Sequence, residues 1–145
     1  MKSLPVYFYA QKNAPHKVQG SRIPFELTRL NVGGAMNPST GIFTAPRNGI
    51  YSFHFSGIAH YPPSSSMSIV RVALMLNGDI IGRSASDTND NAAYFTHSLH
   101  STLELKTGDK VWLNLDYVQS GAYWHDSHRH YTHFTGYLLQ ENMAT

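Results

Sequence analysis

The chain has 145 residues and a mass of 16.2 kDa, the size of one domain, with 41% hydrophobic, 14% charged and 12% aromatic residues and a formal net charge of +2. Its 11 basic residues are scattered without a run, which argues against nucleic-acid binding, and the lack of cysteine excludes disulfides, thiol catalysis and zinc ribbons. No apolar run reaches the roughly 18 residues of a membrane span, and few charges with many glycines and prolines favour short strands over long helices.

Met1-Lys2 and the apolar Leu4 to Ala10 superficially resemble a secretory leader, but Pro5 interrupts the run, and Val6 to Gln11 reads better as a first strand. Ile23 to Leu30 and Gly41 to Thr44 follow. Gly49 to Ala59 comes next, where Tyr51, Phe53 and Phe55 alternate and place three rings on one buried face. Ser68 to Leu76 and Asp79 to Ser84 flank Asn77-Gly78, the dipeptide that accepts the positive φ values of a two-residue type I′ hairpin turn. Ala93 to Leu105 and Lys110 to Tyr117 flank a slightly longer turn, Lys106-Thr107-Gly108-Asp109. Thr132 to Gln140 is the last strand. No segment carries helical periodicity, and strands at intervals of about ten residues predict an all-β sandwich or barrel.

The last strand is apolar on both sides. Phe134, Gly136 and Leu138 share one face, and Thr135, Tyr137 and Leu139 share the other. An antiparallel sandwich strand buries only one face in its own core, so the second face predicts an oligomer.

Phe25, Asn31, Met36 and Phe43 follow one another at spacings of six, five and seven, and lead into Gly49, Tyr51, Phe53 and Phe55. This ordered set resembles the signature of the globular head domain of complement component 1q. Thr40 to Pro46, Leu76-Asn77-Gly78, Leu105 to Leu113 and Phe134 to Leu139 resemble further segments of that family, in the same order, and the likeness spans about Val6 to Gln140. Met36 stands where the family generally has an aromatic residue or leucine.

The resemblance implies a ten-stranded jelly-roll sandwich shared with the tumour necrosis factor superfamily, one domain over residues 1–145 with its core at about 6–140. It also implies a homotrimer with the first and last strands close together at its base. Tyr7 and Tyr9 of the first strand and Tyr137 and Leu139 of the last are the expected trimer interface. A secreted, extracellular module is implied, binding carbohydrate, microbial-surface or protein ligands. The alternative is a structural or signalling trimerisation module that engages a receptor or matrix. The collagen-like stalk of many members is absent from this sequence.

Four of nine histidines, His125, His128, His130 and His133, fall between Trp124 and Phe134. If the segment is extended, His128 and His130 share a face near Asp126, a donor set suited to zinc, with His125 adjacent. The resemblance places this loop near the trimer apex, where some members hold calcium. Asp126 is the sole carboxylate between Ser120 and His133, which makes a thin calcium site. Several imidazoles charging together also predict a pH-sensitive surface, and the bland alternative is hydrogen-bonded surface histidines. Tyr123 and Trp124 are expected as an exposed platform for a sugar or partner, the alternative being that they pack under the loop. Together Tyr123, Trp124, His128 and His130 form the expected ligand site, and no cofactor is required.

Asp87 to Asn91 resembles the start of a calcium loop, but Ala92 and Ser98 stand where that loop needs glycine and glutamate. Tyr61 to Ser66 is a second candidate recognition loop. No nucleophile elbow, phosphate loop, zincin motif or catalytic carboxylate pair occurs, so the chain is not expected to be an enzyme.

Overall fold

The structure, a computed structural model, describes residues 4–63, 68–88, 94–119 and 121–142. Among these, the chain forms only β-strands: β1 Tyr7–Gln11, β2 Ser21–Arg22, β3 Leu27–Val32, β4 Met36–Asn37, β5 Ile42–Thr44, β6 Gly49–His60, β7 Ser68–Leu76, β8 Asp79–Thr88, β9 Tyr94–Leu105, β10 Lys110–Val118, β11 Tyr123–His125 and β12 His133–Glu141. All pairings are antiparallel. Two six-stranded sheets result. In the first, β9 lines one edge of β6, and β12 and β11 share the other, followed by β1 and β3. In the second, β8, β7 and β10 are consecutive, with β5 and β2 sharing the far edge of β10 and β4 beyond β5. This is the two-sheet jelly roll that the family resemblance implies, with twelve strands among the described residues where ten are expected.

The core lies between the sheets, and the alternation within β6 builds it. Tyr51, Phe53 and Phe55 are almost completely inaccessible and meet Phe43 from β5, Phe8 from β1 and Phe134 from β12. The Phe8 and Phe134 rings meet edge to face at 4.9 Å between centroids, an arrangement the ring quadrupoles favour. Val111, Leu113 and Leu115 close the core from β10. Burying each large apolar side chain contributes about 2 kcal/mol. Met36 is buried in this cluster as an apolar filler.

Asn77 and Gly78 have φ of 52° and 95°, so the turn between β7 and β8 takes the left-handed backbone that its residue types predict. The expected strand Ile23 to Leu30 is divided instead. Pro24 has no N–H for a ladder, so β2 ends at Arg22 and β3 starts only at Leu27. Ile23 and Phe25 nevertheless remain buried. The second loop, Tyr61 to Ser66, and the Asp87 to Asn91 segment lie partly outside the described residues.

Candidate functional site

Strand β6 has two working faces. Its odd-numbered rings enter the core, so Ser52, His54, Ser56, Ile58 and His60 point outward from the first sheet. The pairing register extends that outward face across its neighbours. Tyr137 aligns with Ser52, His133 with Ser56, His100 with His54, Tyr94 and Tyr123 with His60, and Tyr7 with Tyr137. The outward face is therefore rich in imidazole and phenol groups.

At the end where Leu4 and Glu141 lie, Tyr7, Tyr9, Leu30, Tyr137 and Leu139 line a groove of about 600 Å³. Tyr7, Leu30 and Leu139 are exposed, and Tyr9 and Tyr137 are half-buried. The four residues expected at a subunit interface thus stand together on one open, largely apolar surface.

The opposite end is the Tyr123 to His133 region. Strand β11, too short for periodicity to reveal, pairs with the last turn of β6 and alternates Tyr123 out, Trp124 in, His125 out. Trp124 is fully buried, stacks on Phe55 at 5.2 Å, and donates from Nε1 to Thr132 Oγ1 at 2.9 Å. This corrects its expected role as an exposed platform: the strand's pleat turns the indole into the core, where its one polar atom finds a partner. Tyr123 remains on the surface side, half-buried, against His60 at 4.8 Å and beneath Lys17 Nζ at 4.9 Å.

Asp126 is also buried, and its two oxygens accept from the backbone N–H groups of Ser127, Tyr131 and Thr132 at 2.7, 2.9 and 2.9 Å. The carboxylate pins the loop from inside rather than facing an ion. His128 and His130 do not share a strand face, because His128 lies in a tight turn and His130 adopts φ of 55°. His130 Nδ1 sits 2.8 Å from the Lys12 carbonyl oxygen and donates to it, while His128 is exposed. His125 points to the outward face, near Tyr94 and Tyr131. Among the described residues no three His, Asp or Glu side chains converge as a metal site.

Sequence patterning singles out the histidines of one loop, but the structure gathers His54, His60, His100, His125 and His133 on one sheet face. Three of these five lie in strands read for their aromatic or apolar alternation. The available signal was the opposite phase of β6, where His54 and His60 alternate with the buried rings.

A buried histidine lies behind this face. His97 is 3% exposed, contacts Trp124 edge to face, and has Ser84 Oγ at 2.9 Å from Nδ1 and Ser86 Oγ at 2.7 Å from Nε2. Burial pushes its pKa down to about 4, a hydrogen bond with the Ser84 backbone opposing that shift. It is a neutral structural group at physiological pH.

Comparison with known proteins adds the family context. A family model described as the C1q domain matches residues 7–139. Complement C1q tumor necrosis factor-related protein 3 from mouse and from human are each 32% identical over 145 aligned residues, covering 95% of this chain and 52% of the relative. The chain spans about half the length of these relatives. Among solved structures, the globular domain of zebrafish complement 1qA superposes with a TM-score of 0.68 at 19% identity, covering 94% of this chain and 99% of that one. Murine APRIL superposes at 0.66 with 14% identity over 93% and 99%. These two likenesses concern the fold.

Proposed function

Because this chain belongs to the C1q domain family, whose relatives are non-enzymatic ligand-binding or signalling modules, we propose that it is the head of an extracellular recognition protein and works as a homotrimer. The observation that carries this reading is the open outward face of the first sheet. Tyr7, Leu30, Tyr94 and Leu139 are exposed on it, and an apolar surface of this extent is a site of association. Copies of the chain meet through Tyr7, Tyr9, Tyr137 and Leu139, and the ligand is held by loops at the end remote from that groove.

Among the described residues at that end, His128, Arg129 and Tyr131 are exposed, with Lys17 beside Tyr123. We assign carbohydrate, microbial-surface or protein ligands to this rim, and the reading requires no metal. A signalling or trimerisation role with a protein receptor is the second reading. It is favoured by the burial of Trp124, which leaves the rim without the broad indole that sugar stacking uses best.

Sedimentation equilibrium at neutral pH tests the assembly: a mass three times the chain's is expected, and Leu139→Glu should reduce it to the monomer. A wild-type monomer at tens of micromolar overturns it. A glycan array probed with and without calcium and zinc separates the two readings. Binding lost in the His128→Ala/Arg129→Ala variant supports recognition at the rim, whereas an intact trimer that binds no glycan supports the receptor reading.

A further inference from the structure

At the middle of the outward face, His54 on β6 stands directly opposite His100 on β9. Their rings meet edge to face with centroids 4.6 Å apart. His54 also stacks on Tyr137 at 5.9 Å and has Ser52 Oγ 3.0 Å from Nε2. One strand further, His133 Nδ1 lies 2.6 Å from Tyr9 Oη, with the two rings stacked at 5.9 Å. Tyr9 and Tyr137 are two of the residues assigned above to contact between copies. The histidine pair is thus continuous with the association surface.

This arrangement suits neutral rings. An imidazole pair at 4.6 Å accommodates one ring edge on the other's face, but two imidazolium ions there lie well inside the Debye length of about 8 Å and repel without effective screening. Among the described residues no carboxylate is near enough to offset that repulsion. On β9 the nearest outward carboxylate is Glu104, four residues from His100, or about 13 Å along an extended strand. Glu141 at the end of β12 is ion-paired with Arg47, at 2.7 Å and off the axis a hydrogen bond needs. The other groups on this face are cationic or neutral over the relevant range: Arg29 from β3, held by Gln11, tyrosines from β1, β9, β11 and β12, and His60 and His125 at the far end. Protonation therefore adds uncompensated positive charge, and threefold repetition multiplies it.

We propose that this face is a pH-gated contact between copies of this chain, closed while His54, His100 and His133 are neutral and opened as they take up protons. The inference rests on the homotrimer reading above. The sign follows from linkage. Covering the face with a second copy removes water from the imidazoles and disfavours their charged forms, so dissociated protomers bind more protons than assembled ones. Assembly therefore weakens as pH falls.

The test is sedimentation equilibrium of the whole chain at pH 7.4 and pH 5.5, with circular dichroism at both values. The expected result is a dissociation constant at least tenfold weaker at pH 5.5 with an unchanged folded spectrum. The His54→Gln/His100→Gln variant keeps neutral hydrogen-bonding side chains and should lose most of the difference in dissociation constant between the two pH values, whatever its affinity at pH 7.4. Equal wild-type affinity at both pH values overturns the gate and leaves the trimer standing, and so does a variant as pH-dependent as wild type. A monomer at both values overturns the assembly itself and the gate with it. Dissociation accompanied by loss of the folded spectrum also overturns the gate, because it places the sensor in the fold rather than at the contact.

Discussion

Trp124 packs against Gly57, so close that a β-carbon at position 57 would sit 2.3 Å from its Cζ2. Glycine at 57 is what lets the indole enter the core beside Phe55. Gly57→Ala should therefore expel or tilt Trp124. We expect a loss of about 3 kcal/mol, the upper range for overpacking a rigid core, read as a lower urea midpoint with a red-shifted tryptophan emission. An unshifted emission and unchanged midpoint would show that the indole has room to move.

Asp126, itself buried, holds its loop through the backbone N–H groups of Ser127, Tyr131 and Thr132. Asp126→Ala leaves those donors without their acceptor, the one at Thr132 fully buried, at a cost of about 2 to 3 kcal/mol. Hydrogen exchange at Tyr131 and Thr132 should accelerate while the amides of β7 stay protected. Calcium or zinc should not restore the lost stability, since the carboxylate's role is to accept from the backbone; rescue by either ion would assign it a coordinating role instead.

His97 links stability to pH. Its folded-state pKa of about 4 lies below the ordinary 6.5, so between those values the unfolded chain binds the extra proton. Its contribution is present in full above pH 6.5 and is lost as pH falls toward 4, amounting to about 3 kcal/mol at most. His97→Gln should flatten this part of the stability profile measured by urea unfolding. A profile as steep in the variant as in the wild type would assign the slope to other groups.

Lys12 is fully inaccessible, with Nζ 3.0 Å from Glu26 Oε2 and donating to the Pro24 carbonyl oxygen at 2.8 Å. Burial lowers its pKa, and Glu26 opposes that shift. Removing the anion should cost more than removing the cation, because a buried ammonium without its partner is the worse outcome. We expect about 3 kcal/mol for Glu26→Ala and about 1 kcal/mol or less for Lys12→Met, compared by thermal unfolding at pH 7. The reverse order would show that Glu26, which is partly exposed, carries little of the pairing.

The features legible in the sequence are those written within a few neighbouring residues. Tyr51, Phe53 and Phe55 declare a buried strand face by alternation, Asn77-Gly78 declares its turn by accepting positive φ, and Tyr137 with Leu139 declares a second apolar face on β12. Such patterns depend on backbone geometry of period two and on local sterics, so they survive without knowledge of the neighbouring strands. Ile23 to Leu30 was less legible, since its apolar residues hide a ladder broken at Pro24.

The candidate site depended on contacts between residues distant in sequence. Trp124 and Asp126 sit in a segment that reads as an exposed polar loop, yet β11 docks on the end of β6 and turns both inward. His54 and His100 are 46 positions apart and meet only because β6 and β9 pair in one register. By itself, the sequence of Gly41 to Phe55 and its companions determined the sandwich and its aromatic core. Tertiary structure alone decided which rings and imidazoles face solvent and which histidines become neighbours, because a shift of one residue in strand register exchanges the two faces of a sheet.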